Sequence, residues 1–188
     1  MAPDDFTGPY RSGGTTPGRR AYYGGPVPPL RALVPRPGWL SPTGPSHRVC
    51  VAAPPSAVWA LLGHPLRWPG FDPFVAAVQG VAGQARTGQH LLVIGRPLSL
   101  RIPVDVDYAD PECRLEITVR TLPGLAQEIE HVIVPRTNGG SEIVVRVRTT
   151  GPLARVGVLP GQAAAVLRLR RLARRAEAEY RGRGRHAA

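Results

Sequence analysis

Lysine is absent from this chain: all 24 of its Lys-plus-Arg positions are arginine. Selection for phosphate contacts draws on both residue types, so an all-arginine set reads as composition bias rather than as a nucleic-acid footprint. Cysteine is nearly absent too. Cys50 and Cys113 are the only two, too far apart in sequence for a paired metal motif or a disulfide scaffold, and are expected to be reduced structural thiols. No apolar run approaches the roughly 20 residues of a membrane-spanning helix. No signal peptide is expected, since Arg11, Arg19 and Arg20 lead into Gly and Pro rather than a continuous apolar segment. A soluble protein with a cytoplasmic location is expected. The histidines at 47, 64, 90, 131 and 186 form no HxH or HExxH spacing, so no metal is expected. The run GVAGQARTG, residues 80–88, contains no GK[ST] and does not sit where a strand meets a helix. No Gly-x-Ser-x-Gly elbow or Cys/His pair suggests a nucleophile. No cofactor is expected.

What the chain has in excess is positive charge, a formal +11 over 188 residues. The distribution argues against a functional reading of that number. Residues 1–45 carry five Arg against two Asp and residues 163–188 carry eight Arg against two Glu, which leaves the middle nearly balanced. Basic tails alone are a poor footprint, so neither nucleic acid nor an anionic membrane is the favoured partner. A membrane or nucleic-acid role through the Arg-rich C-terminal helix and its RGRGR tail would show itself as binding lost at high salt. Oligomeric state is open.

Residues 1–45, dominated by Pro, Gly, Ser and Thr, read as a disordered arm. An ordered domain is expected over 46–180, followed by a basic disordered tail at 181–188. His47 to Ala53 reads as a first strand stopped by Pro54-Pro55. Pro55 then suits the first position of a helix carrying Val58, Trp59, Leu61 and Leu62, which Gly63 and Pro65 end. RWPGFDPF, from Arg67, reads as a second short helix or turn. Strands follow at 75–81, 89–94, 98–108, 114–121, 125–134 and 142–150. Their alternation is clean. Leu100, Ile102, Val104, Val106 and Tyr108 share one face, as do Leu115, Ile117 and Val119, and Ile143, Val145 and Val147. The opposite faces carry Arg101, Asp105, Asp107, Arg114, Glu116, Arg120, Arg146 and Arg148, expected as exposed cross-strand charge pairs of little individual worth. A long helix, Ala163 to Tyr180, closes the domain with Val166, Leu169, Leu172, Ala173, Ala176 and Tyr180 in one stripe and Arg168, Arg171, Arg174 and Arg175 on the other side.

The stretch VAAPPSAVWALLGHPLRWPGFDPFV resembles the opening of the START-related helix-grip superfamily (SRPBCC), in particular its bacterial polyketide cyclase/dehydratase-like branch. In that family a strand leads into an Ala-Pro turn, a Val-Trp helix, an Asp-Pro-like stop and a Trp-x-x-Trp hinge, with Phe71 here in place of the second Trp and His64 in place of the Asp of the stop. GRPLSLRIPVDVDYADPECRLEITVRTLPGL and HVIVPRTNGGSEI are similar to the family's central strands and penultimate hairpin. The resemblance implies an α+β fold in which a curved antiparallel sheet of about seven strands wraps a long C-terminal helix, with two short helices after strand 1. It also implies a cavity for a hydrophobic or amphipathic small molecule, with Trp68 and Phe71 either plugging the core or forming the mouth.

The residues expected to line that cavity are Trp68, Phe71, Leu100, Ile102, Val104, Tyr108, Ile117, Val119, His131, Val145, Leu169 and Ala173. His131, Tyr108 and Asp72 are the candidate catalytic groups. His131 faces inward only if Ile129 and Ile133 do; the other phase turns Val132 and Val134 in. Two functions fit these expectations. One is a carrier or sensor for a lipid- or polyketide-like molecule, suggested by the scarcity of inward ionisable groups. The other is a cyclase/dehydratase-type enzyme that folds its substrate in the cavity, which needs little machinery. Convergence of two or more of His131, Tyr108 and Asp72 on one cavity would keep the enzyme reading alive.

Overall fold

A computed structural model describes residues 45–81 and 83–186, without the side chains of 156–159 and 185–186. The N-terminal arm expected over 1–45 therefore lies outside the described residues, apart from Pro45. Strand β1 (Ser46–Val51) leads to helix α1 (Pro55–Leu62) and a 3-10 helix (Pro65–Gly70). Six further strands follow, β2 (Val75–Gln79), β3 (His90–Gly95), β4 (Leu100–Asp110), β5 (Arg114–Leu122), β6 (Leu125–Pro135) and β7 (Ser141–Thr150), before helix α2 (Ala154–His186). The seven strands form one open antiparallel sheet in the order β1-β7-β6-β5-β4-β3-β2. This curved sheet gripping its last helix is the α+β helix-grip architecture.

Pro55 begins α1 where a backbone N–H has no intrahelical partner to lose. Gly63 ends it because a side chain there would run into the Trp59 indole. The core lies between one sheet face and α2. Val104, Leu115, Ile117, Ile129, Ile143 and Val145 of the sheet and Ala165, Leu169, Leu172 and Ala176 of the helix belong to one buried cluster, in which α2 packs chiefly on β7 and β1. α2 is longer than the expected 163–180 at both ends: it begins at Ala154, contains Pro160, and continues through residues expected as tail to His186.

Two expectations about the sheet faces are corrected. The alternation in β4 breaks at a bulge between Val106 and Tyr108: Val106 pairs with Ile117, but Tyr108 pairs with Glu116. One extra residue reverses the facing of everything after it. Tyr108 thus lies on the outer face, its ring 5.8 Å from the Arg114 guanidinium carbon. The outer charges are not all solvated either, since Arg114, Glu116 and Glu130 are buried. Glu116 and Glu130 are register partners, a like-charge pair that would repel if left alone. Arg114 sits between them, 2.5 Å from one carboxylate and 2.7 Å from the other, and Arg146 adds a second contact to Glu130 at 2.7 Å.

Candidate functional site

Between the sheet and the N-terminal half of α2 is a cavity of about 580 Å³, within the size range of small-molecule sites. Its walls are apolar. β3, β4 and β5 contribute Val93, Ile102, Val104, Leu115, Ile117 and Val119; β6 contributes Leu125 and Ile129. The hinge contributes Trp68, Phe71 and Asp72, the start of β2 contributes Phe74 and Val75, and α2 contributes Pro160, Gly161, Ala163, Ala164, Leu167 and Arg168. Small residues on this face of α2 leave room for the space. At Gly161 a Cβ would stand 2.5 Å from Gln127 Nε2, so its absence lets the Gln127 amide lie against the helix.

The hinge RWPGFDP is fixed from both ends by α2. The Arg67 guanidinium donates to both Glu179 carboxylate oxygens, at 2.6 and 2.7 Å, and to the Ala60 carbonyl at 3.1 Å. Asp72 Oδ2 lies 2.6 Å from Arg168 Nε, while Oδ1 accepts from the Phe74 amide at 3.0 Å. The Arg168 Nε–H is not aligned along that contact, so it is an ion pair rather than a directed hydrogen bond. The Trp68 Nε1–H donates to the Leu62 carbonyl at 2.9 Å, which turns its buried ring toward the cavity. Arg67 and Arg175 hold the Glu179 carboxyl below its ordinary range although partial burial opposes them.

His131 is the deepest polar group. Ile129, His131 and Ile133 face inward, and Leu115 is the register partner of His131. Burial, reinforced by the nearby Arg168 charge, pushes the imidazole down from 6.5 to about 3, against an opposing interaction with the Leu115 backbone. The ring is therefore neutral at physiological pH. Its Nδ1 is buried with no hydrogen-bond partner, as is the Thr121 hydroxyl nearer the β5–β6 turn.

Of the residues expected to line the cavity, Trp68, Phe71, Ile102, Val104, Ile117, Val119 and His131 do. Leu100 does not: at the start of β4 its side chain is half exposed. Tyr108 is turned away by the bulge. Val145, Leu169 and Ala173 are consumed in the contact between β7, β1 and α2 and lie in the packed core. Of the candidate catalytic groups, His131 and Asp72 meet in this one cavity and Tyr108 lies outside it. Arg168, expected on the polar side of the helix, reaches the cavity instead and was missed as a site residue, as were Gln127, Leu125 and the Pro160–Leu167 stretch.

The family described as polyketide cyclase/dehydrase and lipid transport matches residues 46–178. The chain belongs to this family. No curated protein matches the sequence. Solved structures similar to it include CV1439 of Chromobacterium violaceum, at 18% identity over 72% of this chain and 98% of that one, with a TM-score of 0.53. A Thermobifida fusca protein is 20% identical over 70% of this chain and 91% of its own, with a TM-score of 0.56. DynU16, described as a putative protein in the dynemicin biosynthetic locus, is 20% identical over 69% of this chain and 45% of its own, with a TM-score of 0.54. At these identities the likenesses show the shared fold.

Proposed function

We propose that this member of the family is a carrier or sensor that binds an uncharged amphipathic small molecule, lipid- or polyketide-like, in the cavity. One observation carries this reading: among the described lining residues the only full charges, Asp72 and Arg168, face each other at 2.6 Å, and the imidazole beside them is neutral. A charged ligand group would have to break that pair or remain uncompensated in a low-dielectric space. A hydroxyl or carbonyl instead meets the free Nδ1 of His131, which donates or accepts according to tautomer.

β6 gives the space its length. From Leu125 near the turn to His131 at the floor is six residues, about 20 Å at 3.4 Å per residue. Gln127 and Thr121 supply further polar contacts toward the turn. The ligand lies with its apolar body along the Ile117, Val119 and Ile129 wall and one uncharged polar end at His131.

The cyclase/dehydratase reading has one observation in its favour, the convergence of His131 and Asp72. It also meets a chemical obstacle. A base that protonates near pH 3 takes up a proton poorly at neutral pH, and Asp72 is engaged by Arg168. Positioning a ligand carbonyl is the role these groups fit better.

Native mass spectrometry of the purified protein, with extraction of any bound compound, tests the proposal. A neutral amphiphile is expected, with binding weakened in Ile129→Trp, which fills the cavity. A bound carboxylate or phosphate that survives that substitution would sink the reading.

A further inference from the structure

Eight large hydrophobic side chains are exposed among the described residues, and most of them crowd one end of the sheet. In an antiparallel meander alternate turns fall at the same end, so the β3–β4 turn, the β5–β6 turn and the β7–α2 connection share one. Two contacts tie this end together. The Leu153 amide donates to the Gly124 carbonyl at 3.2 Å, joining the last two, and the Arg96 amide donates to the Phe74 carbonyl at 2.8 Å, bringing the start of β2 to the β3–β4 turn. Phe74, Leu98, Leu100, Leu122 and Leu153 lie here, and Leu167 stands on the adjoining face of α2; their exposures run from 40% to 74%.

The cavity reaches this end, where Phe74 both lines it and is exposed. Its lining residues are buried around His131, Leu115 and Asp72 and exposed at Phe74, Pro160, Ala163 and Leu167. Phe74 and Leu167 belong both to the cavity lining and to the exposed apolar set.

The charge here has one sign. Residues 95–101, 119–127 and 148–155 contain five arginines and no Asp or Glu. Arg120 pairs with Asp105, and Arg148 lies 3.6 Å from Glu128. Arg96, Arg101 and Arg155 are exposed and carry no ion pair among the described residues. Net charge placed the basic excess in the tails and so disfavoured a membrane; three unpaired arginines at one end of the sheet are invisible in such a count.

We propose that this end of the sheet docks on an anionic lipid bilayer. Leucines on separate loop tips, interleaved with arginines, suit an interface that accepts each apolar tip independently and supplies negative headgroups between them. A second copy of this chain is disfavoured because it would bring arginine against arginine. A protein partner would need one continuous complementary surface, and these side chains stand on distinct loops. The docked orientation lets a hydrophobic molecule pass between membrane and cavity without crossing water.

Flotation of the full chain with vesicles tests this, comparing phosphatidylcholine alone with phosphatidylcholine mixed with phosphatidylglycerol. Association is expected with the mixed vesicles only, falling as salt rises. Two double variants on exposed side chains, Leu98→Ser with Leu122→Ser and Arg101→Gln with Arg155→Gln, should each weaken it by about tenfold or more while leaving the melting temperature and the uptake of a cavity ligand unchanged. Absence of association with either vesicle would overturn the proposal and leave the rim to a protein partner. Association that survives both double variants but is lost in Arg170→Gln/Arg171→Gln/Arg174→Gln would overturn it in favour of the outer face of α2. A dimer in sedimentation that the leucine variant dissociates would overturn it in favour of self-association.

Discussion

Asp72 and Arg168, 96 positions apart in the chain, form an ion pair of 2.6 Å whose members are 6% and 19% exposed. Together with Arg67 and Glu179 it fastens both ends of one seven-residue hinge to one helix. Residues 168 and 179 are eleven apart, three helical turns or about 16 Å along α2, so they present the same side of the helix to the hinge.

Removing one partner of a mostly buried pair leaves the other charge without compensation. Arg168→Met is therefore expected to cost about 2–4 kcal/mol in denaturant unfolding, and Asp72→Asn somewhat less because the Phe74 amide keeps an acceptor. The double variant Asp72→Asn/Arg168→Met should be more stable than Arg168→Met alone. Additive losses would show that the two side chains do not act as a pair.

The His131 imidazole titrates at about 3 in the folded chain against 6.5 unfolded. Above pH 6.5 the ring is neutral in both states and contributes no pH dependence. As pH falls below 6.5 the unfolded chain takes up a proton that the folded chain does not, so stability declines by up to a factor of ten in the folding equilibrium per pH unit until about pH 3. Between pH 7 and 5 this amounts to about 2 kcal/mol. His131→Leu should flatten that part of the profile, measured as urea midpoints of both proteins across the range. An imidazole carbon resonance that shifts with a midpoint near 6.5 in the folded protein would refute the burial argument.

The strand faces were legible in the sequence wherever alternation is unbroken, as in β5, where Leu115, Ile117 and Val119 turn in as expected. Alternation carries no mark of a bulge. The extra residue at Asp107 reversed Tyr108, and only the pairing with β5 reveals it. His131 could not be phased from β6 alone because Ile129 and Ile133 on one face compete with Val132 and Val134 on the other; the like-charged pair of Glu116 and Glu130 on the outer face, bridged by Arg114, goes with the inward histidine. Arg168 escaped because a helical stripe was read as one face. α2 has two: Ala165, Leu169, Leu172 and Ala176 pack, while Pro160, Ala164 and Arg168, spaced four apart, line the cavity. The small residues Gly161, Ala163, Ala164 and Ala165 were the available signal for the second.

Gly161→Ala separates the shape of the cavity from stability. The new Cβ would stand 2.5 Å from Gln127 Nε2, the far end of a flexible side chain that can swing away. Alanine also favours the helix by about 1 kcal/mol over glycine, so thermal stability should change by less than about 1 kcal/mol. The displaced Gln127 amide moves into the cavity and narrows it, and affinity for a long ligand should fall while that for a short one holds. Equal loss for both lengths would place Gln127 elsewhere.

Arg114 and Arg146 touch the same carboxylate and should differ sharply on removal. Arg114 is nearly enclosed, its side chain 10% exposed, and separates two buried register-paired glutamates; the Arg146 side chain is 54% exposed and contacts only Glu130. Arg114→Met leaves Glu116 directly opposite Glu130 with no cation between them, at an expected cost of about 3–5 kcal/mol at neutral pH. Arg146→Gln removes a solvent-screened partner and should cost less than about 1 kcal/mol. Replacing all three buried members, as Arg114→Met/Glu116→Gln/Glu130→Gln, should recover much of the first loss, because a neutral cluster of similar volume carries no uncompensated charge. Equal effects of the two arginine variants on the unfolding midpoint would mean that the enclosure of Arg114 does not govern its contribution.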